Sequence, residues 1–280
     1  MELIEFLQQF DFDWLILTMK AITFLGNEEF YLLILPILIW CWRKRDVLPL
    51  AIILLLNFWL NYEFKEYFQL PRPAGTGLIA AEHYGFPSGH AQGAIVLWGY
   101  LAWVLGNSNR KAVYGWFALL IFFIGFSRIY LGVHFPGDVI GGWTIGFVFL
   151  FTGIWIANYV CRSKFHFPTI PTAILALFSG LMLAIMTPSE ISVRVGGMIA
   201  GLVGGMILES AYIHSRISTL WWKQVLKIVI GVMGILLIKS GVKTILPLQL
   251  WSDWTRYGLI GLWIGLGAPW LFTKVRLAKN

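Results

Sequence analysis

The sequence predicts an all-α protein, a polytopic transmembrane helix bundle with a six-helix core and about four further spans towards its C-terminus. Composition is the first observation behind this. The 280 residues are 58% hydrophobic, 16% aromatic and only 12% charged, with a mean hydropathy of +0.74, outside the usual range of soluble domains. The second is that nine apolar stretches, near 30–42, 47–64, 89–106, 112–130, 138–160, 172–187, 193–213, 225–242 and 256–273, approach the roughly 20 residues that a spanning helix needs. The third is the placing of charge. Lys and Arg gather in alternate turns: Arg43, Lys44 and Arg45; Arg110 and Lys111; Arg162 and Lys164; Arg216 and Lys223; and the tail Lys274, Arg276 and Lys279. Loops of that kind face the cytoplasm. The net charge of +7 therefore reads as membrane orientation, and nucleic acid is not an expected partner.

The N-terminal segment 3–26 is weaker and amphipathic, with Glu5, Asp11, Asp13 and Lys20; it spans, lies on the surface, or does part of each. Its acidic start lacks the features of a cleaved secretory signal, so the first helix is expected to be retained. Cys41 and Cys161 each adjoin a basic cluster and have no metal-type spacing, so neither a metal nor a disulfide framework is expected.

By the same alternation, the loops at about 65–88, 131–137, 188–193 and 243–255 face outward. Three stretches meet on that face. The first is KEYFQLPRP, with Lys65 and Arg72; Pro71 and Pro73 should end the helix near Gln69 and leave Arg72 in a stiff turn. The second, PSGH, opens the 89–106 span. Ser88 is a good N-cap, Gly89 admits a ligand to the backbone, and the free N–H groups with the positive helix end suit a phosphate. The third is SRIYLGVHFPGD, where Ser127 and Arg128 close one span and His134 and Asp138 open the next. Four residues apart, Asp138 can accept from one ring nitrogen of His134 and leave the other free to attack.

Each stretch alone has a plain structural reading: rim cations anchoring in headgroups, an ordinary cap, a His–Asp tie between helix ends. Together they bring three cations, two histidines, a carboxylate and a helix N-terminus to one face. Three positive groups at a membrane surface are costly unless an anion is bound, and a transferring phosphoryl group is the anion such clamps suit.

Lys65-x6-Arg72-Pro73, Pro87-Ser88-Gly89-His90 and Ser127-Arg128-x5-His134-x3-Asp138 together resemble the three-part signature of the type 2 phosphatidic acid phosphatase superfamily. The resemblance covers about residues 30–160 and implies a metal-independent, cofactor-free phosphatase working through a phosphohistidine. It implies His134 as nucleophile, Asp138 as its orienting partner and His90 as the acid that protonates the leaving oxygen. Lys65, Arg72, Ser88, Gly89 and Arg128 would hold the phosphate oxygens. The expected substrate is a lipid phosphate at the outer face: periplasmic if the membrane is a bacterial inner membrane, lumenal if it is an endomembrane. The high helix number and EHYGFPSGHA are similar to the sphingosine-1-phosphate phosphatase branch. A phosphotransferase using the same intermediate, and a transporter or flippase on a structural phosphatase-like core, are the alternatives.

The division expected is a catalytic core at 1–165 and further spans at 166–280. The latter are glycine-rich, as in VRVGGMIAGLVGGMILES, which suits close helix packing or self-association into a homo-oligomer. Glu209 and Lys239 lie near enough to helix ends to snorkel. His83 is expected to be a solvated loop residue, and the loop 74–86 to act as a lid.

Overall fold

A computed structural model describes residues 1–106, 111–162, 168–217, 220–246 and 249–278, without the side chains of 45 and 160–162. Among the residues used above, Arg110, Lys164 and Lys279 lie outside those described, as do the side chains of Arg45, Cys161 and Arg162. The elements are helices: α1 (Glu2–Gln8), α2 (Asp13–Phe24), α3 (Glu28–Cys41), α4 (Lys44–Phe68), α5 (Gly89–Leu105), α6 (Lys111–Tyr130), α7 (Pro136–Arg162), α8 (Thr169–Met186), α9 (Glu190–Tyr212), α10 (Trp221–Ile245) and α11 (Leu250–Leu262), the last continuing through a π-helical turn (Trp263–Gly267) into α12 (Ala268–Lys274).

All nine apolar stretches are helical, and α4, α6, α7, α8, α9 and α10 are each long and apolar enough to cross a bilayer. The protein is a multi-pass membrane protein. Its N-terminal part differs from the expectation of a separate segment at 3–26 and a span at 30–42. Helices α2 and α3 are long and apolar enough to span only when taken together, as a pair bent by 50°. With 12 and 14 residues, they rise only about 18 and 21 Å, short of a hydrocarbon core of about 30 Å. The break falls at Gly26-Asn27, a poor helix former followed by a residue that favours caps. The Asn27 carbonyl accepts the Tyr31 N–H at 3.2 Å and so begins α3.

The chain divides into two compact units, Met1–Leu32 with Pro49–Arg162, and Leu33–Leu48 with Ser163–Asn280. Besides a boundary near 165, residues 33–48 thus group with the second unit. In the first unit α5 packs against both α6 and α7, and most of its first half is buried. Glycines let α7 approach. A Cβ at Gly142 would come 2.6 Å from the Ser88 carbonyl oxygen, and one at Gly146 2.8 Å from that of Gln92. A cluster of Met19, Tyr130, Leu131 and Val133, with Leu78 and Ile79 against it, joins α2, the end of α6 and the loop after α4.

In the second unit α9 packs against α8 and α11. Gly196 of α9 meets Gly180 of α8, Gly197 meets the α11 backbone at Trp254 and Gly201 meets it at Gly258, each closely enough that a Cβ would overlap a backbone atom. Such small-residue contacts are how membrane helices come close. Glu209 does not snorkel: it is fully buried, with Lys44 Nζ at 2.5 Å and the Ser215 backbone N–H at 2.9 Å. A partner 165 residues away in sequence could not be read from local spacing. Lys239 is exposed, in the last part of α10.

Candidate active site

The three sequence stretches come together in the first unit, where α4 and α6 end and α5 and α7 begin. Helix α4 stops at Phe68, as Pro71 and Pro73 require, and Gln69 turns the chain with φ +50°. The Arg72 guanidinium is then fixed by three carbonyls: Nε donates to His83 O at 2.9 Å, Nη2 to Glu82 O at 2.8 Å and Nη1 to Val133 O at 2.8 Å. Lys65, from the last turn of α4, is buried and donates to Tyr84 O at 2.8 Å.

His134 lies in the turn between α6 and α7 and is 1% exposed. Its Nε2 is 3.1 Å from Arg72 Nη1. Arginine only donates, so Nε2 must carry the lone pair and Nδ1 the proton. That proton faces Asp138, whose Oδ2 lies 3.4 Å from Nδ1. This is a close approach of the carboxylate to the ring rather than the hydrogen bond that the spacing predicts, with Oδ2 accepting the Phe135 N–H at 2.9 Å. Catalytic hydrogen bonds often tighten only once substrate is bound.

Burial, then the positive charges of Arg72, Arg128 and Lys65, hold the His134 pKa well below the ordinary 6.5, against the pull of the Gly85 backbone beside it. The neutral ring is therefore its resting state. Protonation would remove the lone pair, so with a lowered pKa that lone pair survives below pH 6.5 and is lost only further down. The expected result is an acid limb of kcat/KM, which reports the free enzyme, lying below pH 6.5 once ionisation of the phosphate ester is allowed for.

Ser88 sits at the N-cap of α5 but makes no side-chain capping bond, contrary to expectation. Its hydroxyl is buried with no hydrogen-bond partner among the described residues, and so is Arg128 Nε. The Ser88 backbone is committed instead to Asp138 O, at 3.0 Å. Two unpaired donors buried among cations are what an anion site leaves open to an acceptor. Gly89 is needed for packing as well, since a Cβ there would come 3.0 Å from Asn61 Oδ1.

Sequence reasoning missed the residues behind this site. Asn61 Nδ2 donates to Pro87 O at 3.2 Å and to Gln92 Oε1 at 2.8 Å, and Gln92 Nε2 donates to Asn57 Oδ1 at 2.9 Å. This buried amide chain ties α4 to the PSGH turn. Its signal was present, because Asn57 and Asn61 are polar residues one turn apart in an apolar helix. Thr23 and Asn27, from the α2–α3 bend, hold Arg128 and His90, with Thr23 Oγ1 2.8 Å from Arg128 Nη1 and Asn27 Oδ1 2.6 Å from His90 Nε2. His83 is exposed, as expected, and serves through its carbonyl. The loop after α4 is tied down rather than free: Leu78 N–H donates to Leu131 O at 3.0 Å and Gln8 Nε2 to Thr76 O at 2.7 Å. A residue with a Cβ would not fit at Gly132, where φ is +70° and Thr76 packs against the backbone.

Fold and site together define a multi-pass membrane protein in which three cations and two histidines converge where α4 and α6 end and α5 and α7 begin. The chain belongs to the PAP2 superfamily. The superfamily's model matches residues 46–162, and that of the PAP2 superfamily phosphatase transmembrane extension matches 193–280. The chain is 32% identical to phosphatidylglycerophosphatase B of Bacillus subtilis over 49% of this chain and 73% of that one. It is 24% identical to a dihydrosphingosine 1-phosphate phosphatase of Saccharomyces cerevisiae over 79% of this chain and 61% of that one. With sphingosine-1-phosphate phosphatase 1 of Mus musculus it shares 25% identity over 91% of this chain and 71% of that one. Among solved structures, a transmembrane PAP2-type phosphatidylglycerolphosphate phosphatase from Bacillus subtilis superposes with a TM-score of 0.51 at 26% identity, covering 58% of this chain and 85% of that one.

Proposed function

We propose that this protein is a lipid phosphate phosphatase that hydrolyses a phosphate monoester or diphosphate lipid at the outer membrane face, through a phosphohistidine and without a metal. The observation that carries the reading is His134, neutral and buried, with Arg72 3.1 Å from Nε2 and Asp138 beyond Nδ1. A phosphate held by that guanidinium is delivered to the attacking nitrogen.

The chemistry follows from the roles. His134 Nε2 attacks phosphorus, the bond to the lipid oxygen breaks, and His90 gives that oxygen a proton. Water then attacks the phosphohistidine, the P–N bond breaks, and His90 takes a proton from that water. Asp138 offsets the charge that builds on the His134 ring. Lys65, Arg72, Arg128, Ser88 and the α5 N-terminus face the phosphoryl oxygens, which is where phosphoryl transfer gains most from a protein. The alternation of basic turns supports an outer-facing site, since Lys111 starts α6 at the end opposite Arg128.

Relatives aligned over most of the chain act, by name, on sphingosine 1-phosphate and dihydrosphingosine 1-phosphate. Sphingoid-base phosphate therefore heads the substrate panel, with phosphatidate, phosphatidylglycerol phosphate and polyprenyl diphosphate beside it. The test is release of free phosphate by purified protein in excess chelator with no acceptor added. Chelator-resistant release supports hydrolysis; phosphate that appears only with an added acceptor would make the protein a transferase.

A further inference from the structure

The bend between α2 and α3 lies outside the residues matched by either family model, yet it touches two members of the proposed catalytic set. Asn27 Oδ1 is 2.6 Å from His90 Nε2, and Thr23 Oγ1 is 2.8 Å from Arg128 Nη1. The bend also packs closely on the ring: a Cβ at Gly26 would come 3.3 Å from His90 Cδ2 and 2.8 Å from Ile124 Cγ2. Thr23 and Asn27, four apart, thus reach α6 and α5 from one short break.

An amide oxygen can only accept, so the contact with Asn27 puts the His90 proton on Nε2 and the lone pair on Nδ1. We propose that Asn27 is the positioning residue of His90, keeping one ring proton on Nε2 so that Nδ1 is the exchanging nitrogen: the imidazolium gives its Nδ1 proton to the leaving oxygen, and the Nδ1 lone pair this leaves then takes a proton from the attacking water. The proposal rests on the phosphatase reading above. Asn27 would do for His90 what Asp138 does for His134, with one difference. A carboxylate would favour the imidazolium, whereas a neutral amide holds the ring without fixing its charge, as a group that both gives and takes a proton requires. The charged and titratable groups acting on His90 are Arg128 from α6, Lys65 from α4, and Arg72 and His134 from the loops. Glu28, next to Asn27, acts on Lys65 and Tyr31.

The test separates positioning from mere bracing of the bend. An alkoxide leaving group needs His90's proton, whereas nitrophenolate leaves without it, and kcat/KM covers only the steps up to the phosphohistidine. Asn27→Leu is expected to lower kcat/KM about 10- to 100-fold on the sphingoid-base phosphate and less than about threefold on p-nitrophenyl phosphate. Asn27→Asp, nearly isosteric, keeps an acceptor and adds a charge. It should retain activity on the lipid and move the alkaline limb of kcat/KM up by about one pH unit or more. Should Asn27→Leu not fold, Asn27→Asp carries the test by itself. Equal losses on the two substrates, no loss on the lipid, or an unmoved alkaline limb in Asn27→Asp would overturn the proposal. No phosphate release by the wild-type protein from either substrate would overturn the phosphatase reading, and this inference with it.

Discussion

Replacing His134 with alanine is expected to lower phosphate release by on the order of ten-thousand-fold or more, with the protein still folded. No neighbour can take over. The ring is 1% exposed, Arg72 and Lys65 are cations committed to carbonyls, and His90 is directed at Asn27. Truncation would also leave Asp138 facing a void. Release of phosphate from the lipid panel checks the expectation, with elution as a single species in detergent as the folding control. Residual release within about a hundredfold of wild type would show that water attacks directly, because an indispensable nucleophile leaves less than that.

The second large effect is expected from Arg72→Lys, which keeps the charge and loses the shape. Arg72 donates in three directions, to Glu82, His83 and Val133 carbonyls, and presents Nη1 to His134. Lysine has one flexible ammonium and cannot reproduce that planar fork. The carbonyls of Glu82 and His83 would lose their tether, and a phosphate would no longer be held in line with Nε2. A fall in kcat of about 100- to 1000-fold is expected, the scale seen when a preorganised charge stabiliser is removed. A change of less than about threefold would show that Arg72 supplies only charge, because loss of preorganised geometry costs far more.

These expectations rest on residues that were legible in the sequence to unequal degrees. Arg72, His134 and Asp138 could be placed because proline rules and helical spacing act locally: Pro71 and Pro73 stop α4, and three intervening residues bring Asp138 back to His134. The apolar stretches could be placed because a bilayer imposes one length. Contacts that depend on where helices from distant parts of the chain meet were not legible. Lys44 and Glu209 are an example, since each reads as a rim charge until the other is found. Thr23 and Asn27 are another, because they lie where two half-helices join and neither half has the length of a span. Ser88 followed its local rule in position but not in bonding: it occupies the N-cap and leaves its hydroxyl unpaired, which a propensity for caps cannot foresee.

The most direct measurement is to quench the wild-type protein during turnover of a lipid labelled in its phosphate, and then to locate the label on the chain. The expected result is a base-stable, acid-labile phosphate on His134 that is missing from His134→Ala. A label on any other residue, including an acyl phosphate on Asp138, or no trapped label while release proceeds at the quenched time, would contradict the phosphohistidine account.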